Sequence, residues 1–338
     1  MYSALKRILF LLDPEKAHYA ALRSLNLAYL SGISRFFPST PAAPVTIMGL
    51  SFPNPIGLAA GFDKNGDYVD ALASLGFGFI EVGTVTPKPQ DGNPKPRLFR
   101  LTEQEAIINR MGFNNKGLEH MARQLEKTKY RGILGINIGK NKDTPNERAV
   151  DDYLIGFRTL WRYASYVTIN ISSPNTAGLR DLQQSELLSN LLCVLKQEQR
   201  AVFLNEKKYV PLVVKISPDL NTEELHSMAS VFLKEQVDGV IATNTTLQRN
   251  GVENSRYANE AGGLSGKPLL TRSSQITSQL HSLLKDRIPV IASGGVMDEN
   301  AAQEKYTCGA RLLQIYSGFI YSGPGLIQRL AKIQPPSR

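Results

Sequence analysis

Within six residues the chain places two carboxamides and two hydroxyls: Asn170-Ile171-Ser172-Ser173-Pro174-Asn175. They follow Tyr166-Val167-Thr168-Ile169, a β-branched and aromatic run that reads as a buried strand. Pro174 removes a backbone donor and disfavours helix at Ser173. The amides of Asn170 and Asn175 can hold a planar ligand rich in acceptors. A hydroxyl between them can act as a proton-transfer base if water is kept away from it. Taken alone, such a stretch reads first as a polar turn capping the next helix. The rest of the chain has to decide between the two.

Eight short apolar runs follow residue 55: Ile56–Ala59, Phe79–Val82, Ile133–Ile138, Tyr166–Ile169, Leu212–Ile216, Gly239–Ala242, Val290–Ala292 and Leu312–Ile315. Helix-like stretches separate most of them. One is Thr222 to Lys234, with Asn221 and Glu224 as a capping-box pair; another is the Leu-rich Glu186 to Gln197. Strands buried on both faces and alternating with helices imply a parallel sheet. Eight repeats predict a (β/α)₈ barrel, an α/β fold. A doubly wound sheet would show G-x-G-x-x-G after its first strand, and Gly57-Leu58-Ala59-Ala60-Gly61 does not supply it.

In a barrel, chemistry collects at the C-terminal strand ends. Those ends read Ala60-Gly61-Phe62-Asp63-Lys64, Gly83-Thr84, Asn137-Ile138-Gly139-Lys140, Asn170 to Asn175, Lys215, Thr243-Asn244-Thr245, Ser293-Gly294-Gly295 and Tyr316-Ser317-Gly318. Each carries glycine, amide, hydroxyl or ammonium groups, so one large site is expected, polar and uncharged to cationic. The glycines after strands seven and eight fit a phosphate site, to which Gly262 to Gly266 can add amides. Tight turns are the competing reading of those glycines. Lys64 and Lys215 suit either Schiff-base chemistry or a fixed positive charge beside a redox cofactor. Carboxylates are scarce at the ends, with Asp63 the clearest and Glu81 inside its strand, which disfavours paired-carboxylate hydrolysis and Mg²⁺ chemistry. The long proline-rich stretch from Thr86 through Arg100 to Asn115 is expected to be a functional loop.

Composition narrows the classes further. At 338 residues and 42% hydrophobic, the chain can bury an ample core. Cys193 and Cys308 lie far apart in helix-like segments, and the four His residues are scattered, so no disulfide framework and no metal site is expected. The net charge of +9 favours anionic partners, yet Lys and Arg are spread along the chain, which argues against nucleic acid. No apolar run is long enough to span a bilayer, and Met1 to Leu12 lacks a signal-peptide cleavage pattern. The first forty residues form a separate unit, residues 1–40. Leu5, Ile8, Leu9 and Leu12 share one helical face, Asp13-Pro14 starts a second helix, and His18, Leu22, Leu25 and Tyr29 line one side of it. Basic flanks make the pair either a packed extension or an interfacial membrane element. Residues 41–338 are then the catalytic barrel, with Pro335 to Arg338 as a tail.

The motifs together resemble those of dihydroorotate dehydrogenases of the quinone-dependent, membrane-associated class. They are A-A-G-F-D-K-N-G from Ala59, E-V-G-T-V-T-P-K-P-Q from Glu81, P-R-L-F-R from Pro96, N-R-M-G-F-N-N from Asn109, G-I-N-I-G-K-N-K from Gly135, N-I-S-S-P-N-T from Asn170, A-T-N-T-T from Ala242, G-G-L-S-G from Gly262 and Q-I-Y-S-G-F from Gln314. They occur in order over nearly the whole chain. Phe62 and Ser293 depart from the family pattern without touching a proposed proton or hydride carrier.

The resemblance implies an FMN enzyme that oxidises dihydroorotate to orotate in pyrimidine biosynthesis. It implies Ser173 as the base, where the soluble class uses cysteine. It implies that FMN is held by Ala60, Gly61, Phe62, Asp63, Lys64, Thr84, Asn137, Asn170, Lys215, Thr243, Gly266, Gly295, Tyr316 and Ser317. Substrate contacts would be Lys64, Asn109, Arg110, Met111, Gly112, Phe113, Asn170, Asn175, Asn244 and Thr245. His18 and Arg100 would meet a membrane quinone, and the segment from Pro174 to Leu182 would be a lid. A monomer held peripherally on the cytoplasmic face of the cell membrane is expected. The alternatives are a soluble-type flavin dehydrogenase with another acceptor, a barrel lyase or aldolase using Lys215, and a non-catalytic membrane-binding module.

Overall fold

The computed structural model describes residues 2–176 and 178–336, so the last two residues of the expected tail and Ala177 of the expected lid lie outside the described residues. Two helices open the chain, α1 (Tyr2–Leu11) and α2 (Pro14–Leu30), then a hairpin, β1 (Val45–Ile47) and β2 (Leu50–Phe52). The barrel begins with β3 (Ile56–Leu58), α3 (Val69–Ala73) and β4 (Phe79–Val85). An excursion follows through β5 (Leu98–Leu101) and β6 (Ala106–Asn109). The chain returns by α4 (Gly117–Lys127), β7 (Ile133–Ile138), α5 (Ala149–Leu160), β8 (Tyr166–Asn170), α6 (Ser185–Glu206), β9 (Leu212–Ile216), α7 (Thr222–Lys234) and β10 (Gly239–Ala242). After β11 (Gly263–Gly266) come α8 (Leu270–Leu284), β12 (Val290–Ser293), α9 (Glu299–Thr307), β13 (Ala310–Ile315), α10 (Ser317–Ser322) and α11 (Gly325–Leu330).

All eight apolar runs become barrel strands. In order β3, β4, β7, β8, β9, β10, β12, β13 they pair in parallel, and β13 closes onto β3. The closed sheet hides both faces of every strand, which is why these segments are apolar without alternation. The hairpin plugs the bottom: Val45, Ile47 and Phe52 pack with Phe79, Tyr166, Val213, Ile241, Ile291 and Leu312. Asn221 caps α7 with Glu224 as a reciprocal capping box, as the sequence predicts. The Leu-rich helix runs further than its sequence pattern, to Glu206, and Cys308 is the C-cap of α9 rather than inside it.

The proline-rich stretch is not merely a loop. Its L-F-R-L and A-I-I-N segments form the antiparallel pair β5–β6, and β11 from the other excursion joins them as a third strand. Phe99, Leu101, Ala106, Ile108, Val252 and Leu264 make a small core of their own. This sheet stands on the barrel rim and presents Asn109, Met111, Gly112 and Phe113 toward the axis.

The two helices are fastened to this rim by few bonds. Asp13 caps α2 by accepting from the amides of Glu15 and Lys16. Glu15 and Arg97 form a buried pair at 2.8 Å, their side chains only 8% exposed each, and Arg97 also donates to the carbonyls of Asp91 and Asn93. Arg100 donates to the carbonyls of Leu9 and Leu12 and lies over the Phe10 ring. Lys6 reaches the Tyr321 carbonyl at 2.9 Å. Glu15→Ala leaves the Arg97 charge buried without its carboxylate. We expect a loss of about 3–5 kcal/mol, read by urea denaturation, with amide exchange rising first in α2.

Candidate active site

The C-terminal mouth of the barrel holds a cavity. Seven of the eight strand ends reach it: Ala59 to Gly61 with Lys64, Thr84, Asn170 with Ser173 and Asn175, Lys215, Thr243 to Thr245, Ser293 to Gly295, and Gln314 to Gly318. The end of β7 does not. Gly139 packs on Thr84 and Phe113, and Lys140 turns into the protein to the carbonyl of Thr144 at 2.7 Å. The rim sheet and its connections add Asn109, Met111, Gly112, Phe113, Ser265 and Gly266.

A chain of polar side chains fixes the cavity floor. Asn170 Nδ2 donates to Thr84 Oγ1 at 2.8 Å, and Thr84 donates to Asn137 Oδ1. Asn137 Nδ2 donates to Glu81 Oε1 at 2.8 Å, while Tyr166 and Gln314 donate to Glu81 Oε2 at 2.9 and 2.7 Å. Three donors satisfy this carboxylate inside the barrel. It is the countercharge beneath Lys215, whose pKa burial lowers and Glu81 pulls back up. The Lys215 ammonium donates to no other described residue and lines the cavity, so it is available to an anionic or electron-rich ligand.

The two serines are distinguished by their hydrogen bonds. Ser172 Oγ donates to Asn170 Oδ1 at 3.2 Å and accepts from Asn244 Nδ2 at 3.0 Å. Ser173 Oγ only accepts, from the Asn175 amide at 3.2 Å, and faces the cavity. Its proton is therefore uncommitted among the described residues, although Ser173 is only 5% exposed. Asn175 Nδ2 reaches Asn109 Oδ1 at 3.3 Å, which joins the β8 end to the rim sheet. Arg180 ties the Ser172 carbonyl to Asp219 and the Thr245 carbonyl.

Lys64 lines the cavity and donates to the Gly61 carbonyl at 2.8 Å; burial brings its pKa down to about 8. Several sequence-predicted residues lie outside the lining. Phe62 points away, into an aromatic cluster with Tyr316, Phe319 and the His18 ring 4.9 Å distant. Asp63 holds the turn by accepting from the amides of Asn65, Asp67 and Tyr68. Asn137 sits behind Thr84. Arg110 pairs with Glu260 at 2.6 Å and stacks on Phe99. Arg100 serves α1, as described above.

Sequence reading missed Leu269, Val296, Met297, Gln314 and Ile315 as lining residues, and named Ser265 only within the Gly262 to Gly266 stretch. Only Gln314 carried a signal: a lone polar residue inside an apolar strand, like Glu81 in its own.

His18 is half-buried beside Phe62, and burial together with Lys64 pushes its pKa down to about 3. An unfolded imidazole titrates near 6.5, so between these values the unfolded chain binds the extra proton and stability falls as pH falls. His18→Asn should remove on the order of 2 kcal/mol of acid destabilisation at pH 4.5 relative to pH 7. Urea denaturation of both proteins at the two pH values measures it.

Gly294 and Gly295 have φ of +102° and +79°, and a Cβ on Gly295 would lie 2.3 Å from Leu270 Cα. Only glycine allows this loop to rest on the start of α8 with its backbone facing the cavity. Ser265 and Ser317 hydroxyls meet across the same wall at 2.9 Å. A closed parallel barrel with its cavity at the C-terminal strand ends is a (β/α)₈ enzyme fold, and the glycine cradle is where such barrels frequently hold a phosphate.

The family model described as Dihydroorotate dehydrogenase matches residues 42–333. A Nitrosospira multiformis protein named dihydroorotate dehydrogenase (quinone) is 55% identical over 98% of this chain and 95% of its own length. A Marinobacter nauticus protein of the same name is 54% identical over 97% and 96%. The crystal structure of DHODH in complex with ferulenol from Eimeria tenella superposes with a TM-score of 0.86 at 40% identity, covering 95% of this chain and 90% of that one. This chain belongs to the dihydroorotate dehydrogenase family. Enzymes of the family use FMN. The lining fits that cofactor: the glycine cradle and hydroxyls would hold its phosphate and the carboxamides its ring edge, while the Lys215 ammonium donates to no described residue.

Proposed function

We propose that this chain oxidises dihydroorotate to orotate, with Ser173 as the base, and passes the electrons to a membrane quinone. The observation that carries the reading is the cavity-facing Ser173 hydroxyl with an uncommitted proton, beside a Ser172 whose proton is committed. The residues that would hold FMN are Ala60, Gly61, Lys64, Thr84, Asn170, Lys215, Thr243, Gly266, Gly295, Tyr316 and Ser317, with Phe62, Asp63 and Asn137 supporting from behind. Bound FMN supplies a hydride acceptor that can then be reoxidised by a second substrate.

Asn109, Asn170, Asn175, Asn244 and Thr245 bring amide and hydroxyl groups to one side of the cavity, where a planar carboxylated ring needs them. Lys64 adds the positive charge for its carboxylate. Met111, Gly112 and Phe113 close the rim above it. Ser173 takes the C5 proton as hydride leaves C6, and its own hydroxyl proton, which no described residue accepts, is handed on through a relay. A serine hydroxyl is a weak base, so the reaction requires the segment from Pro174 to Leu182 to keep bulk water out.

Residues 1–40 form the membrane and quinone-access unit, and residues 41–338 the catalytic domain. No helix among the described residues is long and apolar enough to cross a membrane. Yet Leu5, Ile8, Leu11, Leu12, Leu27, Leu30, Ile33 and Phe36 are exposed, Leu11 and Phe36 by 86% and 87%. No residue of α1 is buried. Packing on the barrel buries the Leu22 side of α2, yet leaves Leu5, Ile8 and Leu11 of α1 and Leu27 and Leu30 of α2 free. An apolar surface of this kind beside Lys6, Arg7, Arg23 and Arg35 suits an anionic bilayer surface, on the cytoplasmic face of the membrane. His18 and Arg100 lie where the helix pair meets the rim, and they are the proposed quinone contacts.

Anaerobic titration tests the reading. The purified protein should be yellow, and dihydroorotate should bleach it. A colourless protein that takes up no FMN, or one that stays yellow with dihydroorotate, overturns it.

A further inference from the structure

Lys305 on α9 is fully buried, at 0% exposure, and makes no salt bridge among the described residues. Its ammonium donates at 2.5 Å to the hydroxyl of Ser273, which is buried on α8. Ser273 Oγ lies 2.9 Å from the carbonyl of Gly294, and 2.9 and 3.0 Å from those of Leu269 and Leu270. One hydroxyl proton serves one of these carbonyls at a time. Leu269 and Gly294 both line the cavity. The ammonium thus stands two hydrogen bonds behind the glycine cradle. Isolated buried ammonium groups are costly and are retained where something compensates the charge. The acidic and thiol neighbours, Glu304 and Cys308, pull only weakly against burial, which brings the pKa down to about 7.

We infer that Lys305 is a positioning residue for the cofactor phosphate. Its charge is balanced by a phosphate dianion seated on Gly294–Gly295, and through Ser273 it holds the cradle against the start of α8. This rests on the FMN reading above. The glycine amides contact the phosphate directly; Lys305 supplies the countercharge from inside, where little water screens it. The charge therefore selects phosphorylated flavin over the bare isoalloxazine–ribityl group.

The test compares FMN with riboflavin, which lacks the phosphate. Full-length protein is freed of flavin and titrated with each, following flavin fluorescence, for wild type and Lys305→Met. The expected result is FMN binding weakened by about 10- to 100-fold, the scale of one charge interacting with a dianion in a shielded site, with riboflavin binding unchanged. Equal weakening of both ligands would mean that Lys305 only pins α9 to α8, and unchanged FMN binding would mean that its charge plays no part; either outcome overturns the inference. If Lys305→Met does not fold, Lys305→Gln, which keeps a donor for Ser273, must show the same selective loss. A wild-type protein that binds neither flavin overturns the cofactor reading instead.

Discussion

Ser173→Ala is expected to slow flavin reduction by dihydroorotate about 10²-fold or more, with the bound cofactor spectrum unchanged. The substitution removes the one hydroxyl at the end of β8 that faces the cavity without a committed proton. It adds no bulk, and the only described bond it breaks is the one from the Asn175 amide. Anaerobic stopped-flow reduction measures the effect separately from reoxidation. Ser172→Ala is the control. Its hydroxyl links Asn170 to Asn244, so its loss removes one support on each side, an effect nearer tenfold or less for ordinary hydrogen bonds. If Ser173→Ala reduces its flavin at the wild-type rate, or Ser172→Ala proves the slower of the two, the assignment of the base is wrong.

Removing residues 1–37 is expected to abolish quinone turnover and vesicle binding while leaving anaerobic bleaching by dihydroorotate intact. The barrel closes without α1 and α2, and none of their residues lines the active-site cavity. Residues 1–37 instead carry nine of the fourteen exposed large apolar side chains among the described residues. Truncation also takes the Glu15 carboxylate away from Arg97. The truncated chain should therefore be less stable, and adding Arg97→Met should restore part of that stability without restoring quinone turnover. Stopped-flow reduction, steady-state quinone reduction and flotation with anionic vesicles separate the three properties. Surviving quinone turnover would move the acceptor site off the N-terminal unit.

The barrel was legible because its signal is local. A strand buried on both faces needs a short, mostly apolar run, and nothing outside the segment alters that requirement. The Asp13 cap and the Asn221–Glu224 capping box are equally local, since each side chain meets backbone within three residues of itself. The rim sheet was not legible. β5 and β6 are short, proline surrounds them, and their third partner β11 lies more than 150 residues further along the chain. Pairing over that distance leaves no periodicity to read.

The same division runs through the site. The sequence by itself determined that a parallel barrel would carry amides, hydroxyls, glycines and lysines at its strand ends, and that Ser173 would stand among them. Only the tertiary structure decided which of two neighbours faces the ligand. Lys64 and Gly61 line the cavity while Phe62 and Asp63 turn away; Asn109 faces in while Arg110 pairs with Glu260 outside. Beyond the strand ends the backbone leaves the regular pleat, so side-chain direction no longer follows a period of two. It is set by what each side chain meets: an aromatic cluster, a row of amides, a distant carboxylate. The Glu81 cluster makes the same point, because its donors come from residues 137, 166 and 314, brought together only when the barrel closes.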